Sequence, residues 1–250
     1  MKSVAICNQK GGVGKTTTVV NLAAALAEGQ QKVLVLDLDS QANATTWLGL
    51  QTDRGILDVF SGDATMDTCV RPTGIPGVDC VPASPGLANL DRSLAGEVGV
   101  DTILRTALEK LPLDKWDWVL ADCPPALGLA TVNALVCCRN VLIPVETKAM
   151  AVQGLAALMK TIDRVRERLN TSLSVLGIVP SRVVHTRLSR EIMDGLKKRF
   201  GDTMTSTTIR ESTRLAEAPS FRQPITTYDP TGGASEDFRA LATEIQGRAN

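Results

Sequence analysis

A glycine-rich segment at residues 9–17, QKGGVGKTT, combines residue types that hold phosphate groups. It lies between an apolar run, Val4–Cys7, and a helical pattern that begins at Lys15. Glycines let backbone N–H groups turn toward phosphate oxygens, and the first turn of a helix adds partial positive charge. The segment therefore predicts a P-loop, in which Lys15 contacts the β- and γ-phosphates and the Thr16 hydroxyl ligates Mg²⁺. The candidate phosphate-binding residues are Lys10, Gly11, Gly12, Val13, Gly14, Lys15, Thr16 and Thr17.

Two other apolar runs end in carboxylates. Asp37 and Asp39 close the run that begins at Val33, and Asp122 follows the run Trp118–Ala121. The carboxyl ends of parallel strands open toward the ligand crevice of an α/β sheet, so these side chains are expected beside the phosphates. Phosphoryl transfer calls for positioning and charge neutralisation more than for covalent chemistry. The sequence therefore predicts a site for nucleotide phosphates.

The elements that position these residues follow from an alternation of patterns along the chain. Short β-branched or apolar runs predict buried strands, and helical patterns separate them. This order is typical of an α/β, doubly wound fold with a mostly parallel sheet and helices on both faces, as in P-loop NTPases. The predicted strands are Val4–Cys7, Val33–Leu38, Val78–Val81, Trp118–Ala121, Val141–Val145, Val175–Val179 and Ile225–Thr227. The predicted helices are Lys15–Glu28, Pro85–Leu94, Val100–Leu111, Leu129–Cys137, Ala149–Leu169, Leu188–Phe200 and Ala234–Gln246, with a loop-rich connection at Arg71–Pro85.

Composition limits the class of protein. With 250 residues, 44% of them apolar, the chain is expected to form a single domain over residues 1–250. It has no apolar stretch of the roughly 20 residues that cross a membrane and no signal-peptide layout, so a cytoplasmic location is expected. The six cysteines form no CxxC pair, which disfavours a metal or disulfide role.

The P-loop departs from the general pattern, which has glycine where this chain has Gln9, and it adds a second lysine, Lys10. Residues 10–17, KGGVGKTT, resemble the deviant Walker A motif of the ParA/MinD superfamily of ATPases. Residues 39–45, DSQANAT, are similar to that family's DPQGNAT, and residues 214–220, RLAEAPS, to its RLSEAPS. The resemblance covers nearly the whole chain and indicates a short, Soj-like ParA protein.

This resemblance implies roles for the charged residues. Lys10 would reach across a dimer interface to the partner's nucleotide, and it would act in catalysis with Lys15 and Asp39. Asp39 would position the attacking water. Asp122, in a segment that resembles Walker B, would hold Mg²⁺ together with Thr16, and Asp37 would be a structural or Mg²⁺-shell residue. The implied cofactors are ATP and Mg²⁺.

The implied function is a slow ATPase cycle. ATP closes a sandwich homodimer, the dimer binds DNA without sequence preference, and a ParB-like or cargo-adaptor protein stimulates hydrolysis and release from the nucleoid. Such a cycle partitions plasmids or chromosomes; the same cycle can instead position a chemoreceptor cluster or a microcompartment, and the sequence does not name the cargo. A MinD-like membrane-cycling regulator is disfavoured, because the last predicted helix carries Glu236, Asp237 and Glu244 and lacks a strongly basic face.

Positive charge is concentrated in one part of this neutral chain. Residues 160–222 carry 13 Lys and Arg against 7 Asp and Glu. A basic face for DNA phosphates is one interpretation, and ordinary solvated helix faces are the other. Arg214 matches a DNA-contacting position of the family, whereas His185 falls where relatives commonly have a basic residue. The candidate DNA-binding residues are Arg187, Arg214, Lys197, Lys198 and Arg222.

A second departure from the family concerns the nucleotide base. Relatives usually have Ile-Pro-Arg-Asn in the segment that borders the base, whereas this chain has Ile209-Arg210-Glu211-Ser212. Adenine contacts therefore cannot be carried over, and none is assigned.

Overall fold

A seven-stranded sheet forms the centre of the structure, a computed structural model that describes residues 1–51, 53–112, 114–148 and 151–249. The strands lie in the order β3-β4-β2-β5-β1-β6-β7, and all neighbours are parallel except β3 and β4. The α/β architecture with a mostly parallel sheet is therefore confirmed. The strands are β1 Lys2–Ile6, β2 Val33–Asp37, β3 Arg71–Pro72, β4 Val78–Val81, β5 Trp118–Asp122, β6 Asn140–Glu146 and β7 Ser174–Ser181.

Helices cover both faces of this sheet. No helix in the described ranges is both long enough and apolar enough to cross a membrane. The helices are α1 Lys15–Glu28, α2 Asn43–Trp47, α3 Ile56–Ser61, α4 Met66–Cys69, α5 Leu90–Ser93, α6 Ile103–Glu109, α7 Leu129–Cys137, α8 Ala151–Arg168, α9 Arg187–Phe200, α10 Thr213–Glu217, α11 Ile225–Tyr228 and α12 Gly233–Arg248. Short 3-10 turns lie at Pro85–Asn89, Val100–Thr102, Gly201–Thr203 and Ala218–Phe221.

The sheet separates two apolar layers, because successive strand residues point to opposite faces. Ala5 of β1 packs in a layer with α3 to α8, whereas Val4 and Ile6 pack in a layer with α1 and α12. Strands β1, β2 and β5 are covered on both faces, which explains why they are almost continuously apolar.

The register of the central strands positions the candidate site. Ile6 at the end of β1 pairs with Asp122 at the end of β5, and Asp37 at the end of β2 pairs with the same Asp122. The P-loop follows β1, so it emerges beside both carboxylates. The carboxyl edge of the sheet therefore brings together residues far apart in sequence.

One predicted strand, Ile225–Thr227, is wrong: these residues begin helix α11. Pro224 precedes the helix, and the Ile225 amide donates a hydrogen bond to Asn21 Oδ1 on α1 instead of to a neighbouring strand. The Asp229 amide then donates to the Ile225 carbonyl. The β-branched run fits a short helix buried against α1, where packing overrides strand propensity.

The other differences concern short elements and boundaries. Helices α2, α3, α4 and α10 have no predicted counterpart, and the loop-rich stretch Arg71–Pro85 contains β3 as well as the predicted β4. The predicted helices at Pro85 and Val100 begin as 3-10 turns before α5 and α6. Ala149, the predicted start of α8, lies outside the described residues.

Candidate active site

The P-loop adopts a conformation that its glycines permit. Gly12 and Gly14 have φ values of +74° and +91°, a region that other residues rarely adopt. Gly14 caps α1, and its carbonyl accepts hydrogen bonds from the Thr18 amide at 2.8 Å and the Thr18 hydroxyl at 2.7 Å. A Cβ built on Gly12 would meet no atom of the described residues within 4 Å. The backbone angle, not crowding within the protomer, therefore accounts for glycine at position 12.

Lys15 is folded into its own loop. Its side chain is 7% exposed, and Nζ donates a hydrogen bond to the carbonyl of Lys10 at 3.3 Å. The ammonium thus lies under the loop and beside the first turn of α1. This is the arrangement expected for a lysine that neutralises phosphate charge within its own protomer.

Lys10 points away from the loop. Its backbone N–H donates to Asn8 Oδ1 at 3.0 Å, and Asn8 Nδ2 donates to the Pro144 carbonyl at 2.8 Å, which fastens the start of the loop to β6. The Lys10 ammonium lies 3.3 Å from Glu146 Oε2, and its side chain is 53% exposed. Lys10 is therefore held loosely at the mouth of the site.

Glu146, which was not predicted as a site residue, collects three cations. Lys148 Nζ lies 2.6 Å and an Arg182 nitrogen 3.5 Å from Oε1, in addition to Lys10 on Oε2. Burial opposes ionisation of this carboxyl, but the hydrogen bonds from Lys148 and Lys10 outweigh it and hold the pKa of Glu146 below its usual value. An acidic residue directly after the apolar run Val141–Val145 was the available signal.

Asp37 and Asp122 differ in how their buried carboxylates are satisfied. Asp37 Oδ2 accepts hydrogen bonds from the Thr45 amide at 2.8 Å and hydroxyl at 2.7 Å, and Oδ1 accepts from the Asp39 amide at 3.2 Å. Burial nevertheless raises the pKa of Asp37 to about 6, against the lowering effect of Thr45. Asp37 thus anchors α2 through Thr45.

Asp122 has no comparable set of donors. It is 1% exposed, and neither oxygen receives a hydrogen bond of good geometry from the described residues. Burial and the neighbouring Asp37 charge raise the pKa of Asp122 well above its usual value, although the nearby Thr16 hydroxyl and Lys15 oppose this. A buried carboxylate without partners is costly unless a cation compensates it. Asp122 and Thr16 therefore fit a Mg²⁺ ion.

A cavity of about 650 Å³ extends from the P-loop to the chain segment after β7. Thr16, Thr17 and Asp39 line one end, and Arg182, Ile209 and Glu211 line the other. Asp39 is nearly buried, and its Oδ1 accepts a hydrogen bond from the Gln41 amide at 3.0 Å. The cavity suits a nucleoside triphosphate whose phosphates lie on the loop and whose base lies toward residues 209–213.

Comparison with known proteins agrees with this geometry. Residues 1–175 match the model of a family described as an AAA domain. The chain is 38% identical over 248 residues to the sporulation initiation inhibitor protein Soj of Bacillus subtilis, with 98% of each chain covered. It is 39% identical to the chromosome-partitioning ATPase Soj of Thermus thermophilus, over 99% of this chain and 96% of that protein. The chain belongs to the ParA/Soj family of partition ATPases.

A solved structure supports the same fold for this ParA-family chain. The cobyrinic acid a,c-diamide synthase of Mycobacterium smegmatis, crystallised with ADP and magnesium, superposes with a TM-score of 0.85 at 30% identity. The match covers 97% of this chain and 92% of that one. The P-loop geometry and the family together make the chain a P-loop ATPase of the ParA type.

The candidate DNA-binding residues of this ParA-family chain lie on two separate elements. Arg187, Lys197 and Lys198 lie on α9, and Arg214 and Arg222 lie on α10 and just after the following 3-10 turn. Arg187 pairs with Glu191 at 2.8 Å, and Arg214 pairs with Glu217 at 3.5 Å. All five are exposed, as is His185 in the turn before α9. Each element thus presents cations, two of which have acidic partners on their own helix.

Proposed function

We propose that this chain is a nucleotide-gated DNA-binding switch. It binds ATP with Mg²⁺, closes into a sandwich homodimer, binds DNA without sequence preference, and leaves DNA when a ParB-like or cargo-adaptor protein stimulates a slow hydrolysis. The name of its Thermus relative, chromosome-partitioning ATPase, supports a role in chromosome or plasmid partitioning, with nucleoid association in the ATP state.

The different positions of the two P-loop lysines carry this proposal. Lys15 is buried in its own loop, so it serves the nucleotide of its own protomer. The Lys10 side chain is half exposed, and its ammonium is held among the described residues by a single 3.3 Å contact to Glu146. In the proposed dimer, Lys10 would leave Glu146 and donate a charge-assisted hydrogen bond to the γ-phosphate bound by the facing protomer. ATP then favours the dimer because only the ATP state offers this contact.

Asp122 and the Thr16 hydroxyl would hold Mg²⁺ on the β- and γ-phosphates. The ion would neutralise charge that develops as the terminal phosphate is transferred. Apart from the nearby Thr16 hydroxyl, Asp122 has no side-chain or backbone donor among the described residues to lose on taking up the ion, which supports this role. Asp37 keeps its hydrogen bonds to Thr45 and would act on the ion at most through water.

Asp39 would orient the attacking water. It lines the cavity beside Thr16 and Thr17, and the Gln41 amide fixes its carboxylate. A positioned water needs a hydrogen-bond acceptor on the side away from the leaving group. Among Asp37, Asp39 and Asp122, Asp39 is the carboxylate that lines the cavity. Lys10 and Lys15 would offset the growing negative charge on the phosphate oxygens.

DNA binding would use exposed cations on α9 and on the segment after α10. Lys197, Lys198 and Arg222 have no ion-pair partner in the described part of the chain, so they can neutralise phosphates without breaking a pair. Arg187 and Arg214 would exchange weak surface pairs for phosphate contacts, since exposed pairs contribute only about 0–1 kcal/mol. Such contacts give affinity without base specificity.

The decisive experiment measures binding to non-specific duplex DNA with ATP, with ADP and without nucleotide, at two salt concentrations. Wild-type protein should bind only with ATP, and binding should weaken steeply as salt rises. Lys10→Ala should bind ATP but neither dimerise nor bind DNA, whereas Lys148→Ala, which removes another Glu146 partner, should retain both properties. If ATP drives dimerisation but the protein binds DNA under no condition, the ATP-dependent dimer remains supported and the proposed DNA binding is wrong.

A further inference from the structure

One aromatic side chain of this aromatic-poor protein is exposed. The chain has three Trp, one Tyr and four Phe, all within the described residues. Phe221, at the end of the 3-10 turn after α10, is 60% exposed, and the other seven are buried or half-buried. A single exposed apolar residue is ordinary on a protein surface. Its immediate surroundings make this one different.

Phe221 is the outer member of a stack of rings. Its ring lies on Tyr228, with centroids 5.0 Å apart and an angle of 28° between planes. The Tyr228 hydroxyl donates to Glu217 Oε2 at 3.0 Å, and the Arg214 guanidinium lies 6.0 Å from the Tyr228 centroid. Within the described residues no further ring or cation packs on Phe221. One face of the Phe221 ring is therefore supported, and the other is open to solvent.

The backbone beneath this stack is tied to helices α1 and α2 by hydrogen bonds. The Arg222 amide donates to the Pro219 carbonyl at 3.0 Å, and Arg222 itself adopts a positive φ of +53°. Gln223 then accepts a hydrogen bond from the indole of Trp47. The Ile225 amide donates to Asn21 Oδ1 at 2.6 Å. A ring held on such a loop loses little conformational freedom when it binds a ligand.

Charge alone does not explain a ligand here. Arg214 has the carboxylates of Glu217 and Asp229 nearby, and these two negative charges offset the charges of Arg214 and Arg222 in a sum over the four residues. A partner recognised only by Coulomb attraction would prefer α9. The open aromatic face is the feature that distinguishes this surface, and it fits a flat π system.

We propose that the Phe221–Tyr228 stack is a platform for one unpaired DNA base, with Arg222 beside the adjacent phosphate. Aromatic platforms next to cations bind single strands because every base has a π face. Bases in an intact duplex are already stacked and are not available to the ring. This inference rests on the proposed DNA binding and adds that the chain binds single-stranded DNA through a contact that duplex DNA does not use.

The test compares a labelled oligothymidylate with a duplex of matched length, with ATP and Mg²⁺, across a series of salt concentrations. Phe221→Ala should weaken oligothymidylate binding about tenfold at every salt concentration, because stacking is not ionic. The slope of log affinity against log salt should not change. Arg222→Ala should instead reduce that slope by about 0.7, the value for one phosphate contact on a single strand. Duplex binding should be the same for Phe221→Ala and wild type.

Two further substitutions of Phe221 distinguish ring stacking from a non-specific apolar contact. Phe221→Trp keeps a flat ring and should bind oligothymidylate as wild type does, and Phe221→Leu should bind as weakly as Phe221→Ala. Leu188→Ala removes another exposed apolar side chain, on α9, and should leave oligothymidylate binding unchanged. Melting curves check that each variant is folded.

Three results would overturn the platform. In the first, Phe221→Ala binds oligothymidylate as tightly as wild type does. In the second, Phe221→Leu binds it as tightly as wild type does. In the third, Phe221→Ala loses the same factor of affinity for duplex as for single-stranded DNA. Each of these leaves ATP-dependent duplex binding by wild type intact, so the proposed function would survive. If wild type bound no DNA in any nucleotide state, both proposals would fall together.

Discussion

The phosphate end of the cavity, formed by residues 9–17 with Asp37, Asp39 and Asp122, differs in construction from the segment 209–228, whose first residues, 209–213, line the opposite end. The phosphate end consists of backbone turns and buried groups at the carboxyl edge of parallel strands. The 209–228 segment consists of short helices, and its backbone is tied to distant elements by hydrogen bonds at the Gln223 carbonyl and the Ile225 amide. The first is fixed by sheet register before any ligand binds. The second takes its position from α1 and α2, to which its backbone is hydrogen-bonded.

The largest effect expected at the phosphate end follows from removing the charge of Asp122. Asp122→Asn keeps the shape of the side chain but loses the ligand for Mg²⁺. Mg²⁺-dependent ATP hydrolysis should fall at least about 100-fold, since such ions contribute several kcal/mol to charge stabilisation. The nucleotide-free variant should melt no lower than wild type, because neither oxygen of the carboxylate it loses receives a hydrogen bond of good geometry from the described residues. A strongly lowered melting temperature with retained hydrolysis would show that Asp122 is structural.

Gly12→Val tests whether the P-loops of two protomers face each other closely. A Cβ at position 12 meets none of the residues that the structure describes, so the variant should bind ATP yet remain monomeric in light scattering. Gly62→Val is the matched control, because Gly62 has a similar φ of +79° and equally open surroundings at the end of α3. Both variants carry a backbone strain of about 1–3 kcal/mol. Only the first should lose the ATP-dependent dimer; a dimer in both would remove the steric argument.

The phosphate end could be predicted from the sequence more completely than the 209–228 segment. The P-loop is contiguous, and its strand–turn–helix context is local, so residues 9–17 and the carboxylates Asp37 and Asp122 could be expected at one edge of the sheet. Helix α1 and helix α7 have the predicted bounds, because their apolar patterns are long and end at glycine or a cysteine pair.

Other features depend on contacts between distant residues and carry little local signal. Helix α11 is a β-branched run whose first amide, that of Ile225, donates a hydrogen bond to Asn21 Oδ1 on α1 instead of to a neighbouring strand. Glu146 becomes part of the site only because β6 lies beside β1, which brings it to Lys10. The stack of Phe221 on Tyr228 joins residues separated by the turn at Arg222 and the start of α11. No pattern of hydrophobic periodicity encodes such pairs.

Arg214→Glu tests the 209–228 segment by charge reversal. It should weaken ATP-dependent binding of duplex DNA about tenfold and reduce the salt slope by about one or more, while ATP binding is unchanged. Arg92→Glu is the control, because Arg92 is exposed on the short helix α5, outside the basic part of the chain. Equal DNA retardation by both variants would remove Arg214 from the DNA-binding residues and leave α9 as the basic face.

The smallest effect is expected from the connection between the two ends. Helix α2 is tied to the phosphate end by Thr45 on Asp37, and to the 209–228 segment by Trp47, whose indole Nε1 donates to the Gln223 carbonyl at 2.8 Å. A change beside Asp39 on ATP binding can therefore move the chain between Phe221 and Ile225. Trp47→Phe keeps most of the buried ring but removes this hydrogen bond.

Trp47→Phe should bind ATP normally, and the ratio of its DNA affinities with ATP and with ADP should fall about three- to tenfold. The loss of one neutral hydrogen bond, about 1 kcal/mol, limits the size of the effect. Trp116→Phe is the matched control, since its equally buried indole donates to Asp79 Oδ2 at 2.9 Å and contacts neither end. If both variants kept the wild-type ratio, the coupling would have to run through α1 and the Asn21 contact to Ile225. Asn21→Ala would then be the variant that lowers it.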